Sequence, residues 1–354
     1  MQFTRDDAMI SSSHLPEIFP VGKLPLNFLQ ALLQKYAPVT HKNNRVKVDA
    51  GIGREAAVIE LGERLLIAKT APITFIAANI GDDALQINAN AVACMGGEPQ
   101  WFLATLLLPE KTTTPKLVEE IFRQLGEACK RINVTLCGGH AEITAGIDRP
   151  MIAGCLLGEA PLDRIFSPER IEPGDAIILT KGLAIAATAR LGRERAQALS
   201  ETFDTEFAEN CRRYFHEPGI SVLPEARLAW PEAGIHALRD PTAGGLANAL
   251  HEMLVARDLG VEINRDSIPL FPESKLLCEH FHLDILGLIA SGALLIIGEE
   301  SACMKLLPQL QRAKINPAMI GQVLPSGAGR WLVDGKQRYE LPWFKRDEIL
   351  KVLS

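Results

Sequence analysis

Three glycine-rich segments of the chain have the composition of phosphate-binding loops. They span residues 51–53, 137–142 and 240–245. Glycine has no Cβ atom, so the backbone N–H groups of such segments can approach an anion closely. The third segment also precedes a helical pattern, and a helix N-terminus attracts anions. These segments predict a nucleotide-binding group that consists of Gly53, Gly138, Gly139, Thr242, Gly244 and Gly245.

Each segment also has a simpler interpretation. Residues 51–53 could form a plain hairpin turn, and residues 138–139 could form a turn beside a surface histidine. Asp240 or Thr242 could serve only as the N-cap of the following helix. Two glycines after the cap favour the anion role, because a cap does not need them and they lower helix stability.

Three carboxylates near these segments could hold a magnesium ion. They are Glu55, Glu142 and Asp240. Mg²⁺ takes oxygen ligands and commonly binds one or two carboxylates together with phosphates and waters. His140 and Glu142 should lie on one side of a strand because they are two residues apart. His140 could donate to a phosphate or act as a base, whereas Glu55 could simply pair with Arg54 in solvent.

Two lysines and two asparagines complete the candidate residues. Lys69 and Lys181 each end a strand-like run, where a lysine can pair with phosphate as a point charge. Together with His140, Lys181 is a candidate catalytic residue. Asn88 and Asn90 lie in an alanine-rich helical segment although asparagine is a poor helix former. They could bind a nucleotide or a second subunit, and for all four residues a solvated or structural role is the alternative.

The composition excludes several classes of protein. The 354 residues carry a net charge of −6 and no basic run, which argues against a nucleic-acid partner. No apolar run approaches the ~20 residues of a membrane span, and the N-terminus lacks a signal pattern. The seven cysteines are scattered without CxxC spacing. We therefore expect reduced thiols in a cytoplasmic protein, with no membrane partner.

The order of elements predicts an α+β fold of two units, with helices packed on one face of each sheet. The first unit has helices near 25–36, 80–95 and 115–132, the last capped by Thr114, and strands near 64–69, 103–108, 134–137 and 151–157. The second has strands near 175–180, 261–264, 293–297 and 318–323, and helices near 183–191, 202–216 and 242–257. The predicted divisions are an arm (1–22), an N-terminal domain (23–160), a linker (161–174), a C-terminal domain (175–340) and a tail (341–354).

Six motifs, in order along the chain, resemble those of one superfamily. They read GREAAV (53–58), KTAPITF (69–75), NANA (88–91), GGHAEIT (138–144), LTKG (179–182) and DPTAGG (240–245). The superfamily includes aminoimidazole-ribonucleotide (AIR) synthetase, thiamine-monophosphate kinase, selenophosphate synthetase and the hydrogenase-maturation protein HypE. The chain is most similar to its HypE-like, AIR synthase-related branch.

The resemblance implies a PurM-like fold and an ATP-dependent reaction. In this fold an N-terminal domain dimerises through its sheet, so a homodimer is expected, and a C-terminal domain packs beside it. ATP and Mg²⁺ lie in the cleft between the domains and near the dimer interface. Working members phosphorylate an oxygen atom of a small substrate and make it a leaving group.

The chain departs from the family patterns at its acids. Alanine stands at 71, 91 and 243 where the patterns have carboxylates, Ala186 replaces a glutamate, and Glu55 stands where aspartate is usual. Phosphoryl transfer depends on metal ions that neutralise developing charge, so these losses should weaken Mg²⁺ binding. No cysteine follows Cys303 or precedes Cys94. We therefore expect neither carbamoyl carriage on a C-terminal cysteine nor selenophosphate synthesis.

Two hypotheses follow from the sequence. The first is ATP-dependent phosphoryl transfer to a small metabolite or maturation substrate, with a depleted magnesium site. The second is a catalytically degenerate member that binds a nucleotide or a partner without turnover.

Overall fold

A computed structural model of the chain describes residues 24–36, 45–49, 51–74 and 78–353. The predicted N-terminal arm lies outside the described residues, and so does Phe75 of the KTAPITF motif. No helix in these ranges is long and apolar enough to cross a membrane.

The N-terminal half contains one six-stranded sheet with the strand order β1-β2-β3-β6-β4-β5. All its strand pairs are antiparallel except β4 with β5. Its elements are α1 (Leu26–Tyr36), β1 (Val46–Val48), β2 (Ala57–Leu61), β3 (Arg64–Ile73), α2 (Ile80–Cys94), β4 (Glu98–Pro109), α3 (Pro115–Arg131), β5 (Thr135–Thr144) and β6 (Met151–Pro161).

Helices α2 and α3 pack on one face of this sheet, as the periodicity of the sequence predicts. The Thr114 side chain accepts a hydrogen bond from the Leu117 N–H at 3.2 Å, which confirms it as the N-cap of α3. Ile121 and Leu125 of α3 are buried against sheet residues such as Phe102 and Ile152. Because side chains alternate along a strand, the opposite face of β4 and β6 keeps partly exposed residues.

The C-terminal half contains a seven-stranded sheet with the order β13-β12-β9-β11-β7-β10-β8. Its strands are β7 (Ala176–Thr180), β8 (Ile235–Arg239), β9 (Gly260–Asn264), β10 (Leu295–Gly298), β11 (Pro317–Leu324), β12 (Arg330–Asp334) and β13 (Gln337–Glu340). Its helices are α4 (Ile185–Glu194), α5 (Ala196–Thr202), α6 (Thr205–Arg213), α7 (Leu223–Ala229), α8 (Gly245–Val255), α9 (Pro272–Phe281), α10 (Glu300–Arg312) and α11 (Leu350–Leu353).

The α+β class is confirmed, but the expectation of helices on one face is wrong for the second sheet. Strand β7 is buried at all five positions. Ile177 and Leu179 pack in one apolar cluster with α4 and α8, whereas Ile178 packs in another with α7 and α10. A sheet covered on both faces needs apolar residues at successive positions, and the run Ile177-Ile178-Leu179 provides them.

Two further predictions are wrong in detail. The helix expected at 202–216 is shorter, Thr205–Arg213, because Asp204 caps its start by accepting from the Phe207 N–H at 2.7 Å; helix α5, Ala196–Thr202, was not predicted. The glycine turn expected at 138–139 is part of strand β5, which runs to Thr144. Between β6 and β7 the chain makes a short 3-10 turn at Pro168–Arg170. The boundaries of the two domains stay a prediction.

Helix α2 also joins the two halves. Its residues Ala93 and Cys94 belong to an apolar cluster with β8 and α7 of the second half. The Trp230 indole N–H donates to the Ala93 carbonyl at 3.0 Å. The same helix carries Asn88 and Asn90, and the packing that joins the halves places Asn90 at the contact between them.

Candidate functional site

Asn90 connects the two halves of the chain through three hydrogen bonds. Its amide nitrogen donates to the Asp240 Oδ2 atom and to the Ile220 carbonyl, both at 2.8 Å. Its oxygen accepts from the Val222 N–H at 3.0 Å. Asn90 is fully buried, so these contacts satisfy a polar side chain that would otherwise be costly to bury. They also bring it directly against another predicted site residue, Asp240.

Asp240 lies between the end of β8 and the start of α8, in a nearly dry environment. The pKa of its carboxyl is raised from 3.8 to about 7, mainly by burial and in smaller part by the nearby charge of Glu55. The hydrogen bond from Asn90 and the charge of Arg239 act in the opposite direction. The burial effect prevails, so a large fraction of Asp240 is protonated at neutral pH.

Arg239, which the sequence analysis did not select, holds together the charges around Glu55. Its Nε atom lies 2.7 Å from Glu55 Oε1, and its guanidinium also pairs with Glu252. A third contact runs from Nη1 to the Gly53 carbonyl at 3.1 Å. Arg239 and Glu55 have exposed side-chain fractions of 7% and 8%. This buried network ties the segment after β1 to β8 and α8.

Gly53 is required by a close approach of the two halves. Its φ angle is +80°, and a Cβ atom there would lie 2.4 Å from the Glu252 carbonyl oxygen. The glycine therefore serves a contact between protein segments, in addition to any contact with a ligand.

Lys69 lies inside β3 (Arg64–Ile73), so the prediction that it ends a strand is wrong, and it is a partly exposed cation of this region. Its Nζ atom lies 3.8 Å from Glu55 Oε2, beyond hydrogen-bonding distance, and 22% of its side chain is exposed. Among the described residues it makes no hydrogen bond. We call Gly53, Glu55, Lys69, Asn90, Arg239, Asp240 and Glu252 the junction.

Asn88 precedes Asn90 by two residues on α2, and its hydrogen bonds stay within the N-terminal half. Its amide nitrogen donates to the Ala84 carbonyl at 2.8 Å and to the Ala71 carbonyl of β3 at 3.4 Å. Its Oδ1 atom is buried without a hydrogen-bond partner in the described part of the chain. Asn88 therefore fixes α2 against β3, next to Lys69.

The predicted anion position at the start of α8 is taken by a side chain of the protein. The Gly244 N–H donates to the Asp347 Oδ2 atom at 2.8 Å. The Thr242 carbonyl accepts from the Gly245 N–H at 2.9 Å, which forms the turn before the helix. At Gly245, whose φ is +61°, a Cβ atom would lie 2.5 Å from two carbonyl oxygens. These glycines allow close packing around a carboxylate from the C-terminal segment.

Lys181 is held inside the C-terminal half. Its Nζ atom donates to the Ser221 and Gly292 carbonyls at 2.7 and 3.0 Å. It also lies 2.7 Å from the Oε1 atom of the buried Glu225. Three partners use the three donors of the ammonium group. In this arrangement Lys181 organises the loops around it and has no donor left for a ligand.

His140 and Glu142 lie away from the junction, on the edge strand β5. Their Nε2 and Oε2 atoms are 3.0 Å apart, and both side chains are about half exposed or more. The hydrogen bond from His140 lowers the pKa of the Glu142 carboxyl. Strands β6 and β4 separate β5 from β3, so the edge is ~14 Å from Lys69 across the sheet.

Gly138 and Gly139 belong to the same edge, where a β-bulge explains one of them. Cys137 has no partner on β4, and a Cβ atom at Gly139 would lie 1.9 Å from the Ala104 carbonyl oxygen. A Cβ atom at Gly138 would meet open space, although its φ of +150° still favours glycine. Gly139 thus has a structural requirement that Gly138 lacks.

A second buried charge cluster, also missed from the sequence, lies at the start of α2. Burial raises the pKa of the Asp83 carboxyl from 3.8 to about 7 even though Arg193 of α4 opposes the shift. The Arg193 Nη2 atom is 3.8 Å from Asp83, and Asp82 pairs with Arg131. The sequence signal for this cluster was a pair of adjacent acids, Asp82 and Asp83, in a helix that has a buried apolar stripe.

The donor set of the junction does not fit a magnesium ion. Within the described ranges, no three histidine, cysteine, aspartate or glutamate side chains come close enough to hold a metal. Glu55 is already paired with Arg239 and Lys69, and Ala71, Ala91 and Ala243 supply no side-chain oxygen. Glu142 lies on the distant edge strand. Glu142 is therefore not brought together with Glu55 and Asp240 within one chain.

Comparison with known proteins identifies two family domains. Residues 53–160 match the N-terminal domain of AIR synthase related proteins, and residues 172–334 match their C-terminal domain. A Methanocaldococcus jannaschii protein named for hydrogenase expression/formation is 27% identical over 338 residues, covering 88% of this chain and 94% of the relative. The carbamoyl dehydratase HypE of Rhodobacter capsulatus is 28% identical over 285 residues, covering 79% of this chain and 77% of the relative.

Solved structures support the same fold. A hydrogenase maturation protein HypE in complex with ATP superposes with a TM-score of 0.69 at 21% identity, covering 90% of this chain and 96% of the other. Two domain matches, the curated relatives and this superposition agree. The chain belongs to the AIR synthase-related family, on its HypE-like branch.

Proposed function

We propose that the chain is a nucleotide-binding protein of the AIR synthase-related family that binds the phosphate groups of ATP at the junction and does not turn ATP over. The observation that carries this proposal is the state of Lys69. It is partly exposed, it makes no hydrogen bond in the described part of the chain, and its Nζ atom lies 3.8 Å from Glu55, which is paired with Arg239 of the other half. An ammonium group with free donors is a phosphate ligand.

The absence of turnover is supported by the side chains around this lysine. The acids remaining at the junction are paired with cations or hydrogen-bonded to Asn90. The candidate catalytic residues are elsewhere, with Lys181 enclosed in the C-terminal half and His140 on the sheet edge. Phosphoryl transfer requires positioned groups that stabilise charge in the transition state.

A second candidate function is ATP-dependent phosphoryl transfer to a small metabolite or a maturation substrate. The relatives favour it, since several are named carbamoyl dehydratase HypE and one solved neighbour carries ATP. This function would need acids that one chain does not assemble. A second copy could bring its His140 and Glu142 toward the junction, because β5 is an edge strand with unpaired backbone groups.

We also propose that the protein is a homodimer built on this edge. Strand β5 is exposed along most of its length, and Ile143 on it is 58% exposed. An exposed edge strand with apolar side chains invites pairing with another strand.

The test is a calorimetric titration of ATP, with and without Mg²⁺, together with a phosphate-release assay. We expect micromolar binding that Lys69→Gln weakens at least tenfold, and no release of phosphate above the buffer rate. Lys47→Gln is the matched control, because Lys47 lies on the same sheet and pairs with Glu60. Absence of binding would exclude nucleotide binding, and Mg²⁺-dependent phosphate release would establish the second function instead.

A further inference from the structure

We infer that the junction receives its anionic ligand as the free anion, without a divalent cation, and that Glu55 is an internal counter-ion that the ligand displaces from Lys69. This inference rests on the proposed function and specifies the form of the ligand, a metal-free phosphate chain. It follows from the disagreement between the donor set of the junction and a magnesium ion.

The charges of the junction are already balanced by side chains. Two carboxylates, Glu55 and Glu252, face two cations, Arg239 and Lys69. A divalent cation placed on Glu55 would lie next to both of these positive groups, and nothing in a buried site would screen the repulsion. Arg239 and Lys69 hold the positions around Glu55 that a metal ion would have to enter.

The two cations differ in what they can offer a ligand. Arg239 is held by Glu55, Glu252 and the Gly53 carbonyl, so its guanidinium is committed to the protein. Among the described residues the ion-pair partner of Lys69 is Glu55, 3.8 Å away, and the exposed fraction of the Lys69 side chain is three times that of Arg239. A phosphate oxygen can therefore replace Glu55 at Lys69 while Arg239 retains the glutamate.

The remaining polar groups of the junction offer a metal ion at most one carboxylate oxygen, Asp240 Oδ1, which is buried without a hydrogen-bond partner in the described part of the chain. The Asp240 Oδ2 atom accepts from Asn90, and Asn90 uses its other atoms on the Ile220 and Val222 backbone. The neighbouring positions 71, 91 and 243 are alanine. A ligand anion therefore meets one partly exposed cation, Lys69, next to groups that are held by contacts within the protein.

The experiment is a titration of inorganic pyrophosphate, with EDTA present throughout, into the full-length protein and two variants. We expect Glu55→Gln to bind about tenfold more tightly than the wild type, because its loss frees Lys69. We expect Lys69→Gln to bind at least tenfold more weakly. Glu98→Gln is the matched control: Glu98 also pairs an arginine of the other half, Arg227, but lies away from Lys69. Its affinity should equal that of the wild type.

The direction of the Glu55→Gln effect decides the inference. A metal ligand gives the opposite result: Mn²⁺ alone would bind the wild type stoichiometrically and be lost in Glu55→Gln. That outcome, or an unchanged pyrophosphate affinity in Glu55→Gln, overturns the inference. If Glu55→Gln fails to fold, Lys69→Gln alone decides, since an unchanged affinity in EDTA contradicts the role of Lys69.

The failure of the inference can be distinguished from that of the proposed function. Binding of ATP only in the presence of Mg²⁺ would keep the nucleotide function and overturn the metal-free inference. Tighter pyrophosphate binding in Glu55→Gln without any ATP binding would keep the inference and overturn the nucleotide function.

Discussion

The junction and the β5 edge both place glycines beside charged side chains, but the structure treats their charges in opposite ways. At the junction Gly53 lets two segments approach, and the charges of Glu55, Arg239 and Glu252 are buried against one another. At the edge His140 and Glu142 pair in solvent. Similar sequence signals thus mark a buried network in one place and an exposed surface in the other. Burial determines which charges are important for stability.

The largest effect is expected from Arg239→Met. The substitution removes the guanidinium that pairs with the buried Glu55 and Glu252, and breaking a buried ion pair from one side costs about 3–5 kcal/mol. Urea unfolding should show a loss of this size in the free energy of unfolding. The control is Arg227→Met, which also breaks an ion pair between the halves, with Glu98, but at a half-exposed site. Its cost should be about 0–1 kcal/mol. Equal losses in both variants would contradict the contrast between buried and exposed pairs.

The next effect concerns the pH dependence of stability through Asp83. Its pKa is about 7 in the folded protein and 3.8 ordinarily, so the folded state holds this proton more tightly. The contribution to stability is therefore complete below pH ~4 and is lost as the pH rises through about 7. Asp83→Asn stays neutral and should be more stable than the wild type at pH 8 by on the order of 2–4 kcal/mol, with little difference at pH 4.

Thermal unfolding of wild type and Asp83→Asn between pH 4 and 8 measures this difference. Asp148→Asn serves as the control, because it removes the same charge from an exposed site beside Arg149. Parallel curves for wild type and Asp83→Asn would show that Arg193 keeps Asp83 charged despite its burial.

Several elements could be predicted from the sequence because local signals determine them. Helix α3 has an apolar stripe and the Thr114 cap, and both were visible in the chain. The length of β5 was not predictable, since Gly138-Gly139 indicates a turn and only the pairing with β4 makes it a strand. Long-range contacts outweigh local propensity at that point.

The candidate site likewise contains residues that the sequence predicted and residues that it did not. Glycine spacing selected Gly53, an expected strand end selected Lys69, an alanine-rich helix selected Asn90, and a carboxylate beside a glycine-rich segment selected Asp240. The structure brings these four into one region. Arg239 was missed because its role depends on Glu55 and Glu252, which the fold alone brings to it. Lys181 looked free for the same reason, since its carbonyl partners come from distant loops.

A smaller effect on the stability of β5 should distinguish Gly139 from Gly138. Gly139→Ala places a Cβ atom 1.9 Å from the Ala104 carbonyl, so β5 must shift away from β4, at a cost of ~1–3 kcal/mol. Gly138→Ala meets no atom within 4 Å and pays only for its backbone conformation. Hydrogen exchange of the β5 amide groups should accelerate more in Gly139→Ala than in Gly138→Ala. The reverse order would show that the bulge at Cys137 does not fix the strand.

The smallest effect on folding is expected from His140→Gln and Glu142→Gln, because both residues are exposed on the edge strand β5. Both side chains are solvated, so neither substitution should measurably move the denaturant midpoint. If β5 is the dimer edge, however, the same substitutions lie in the interface and should shift the monomer–dimer equilibrium measured by sedimentation. Lys275→Gln is the control, because Lys275 forms an exposed pair with Glu279 on α9 of the other half. A change in the midpoint without a change in association would instead make the pair a folding element, and the edge would then resemble the junction.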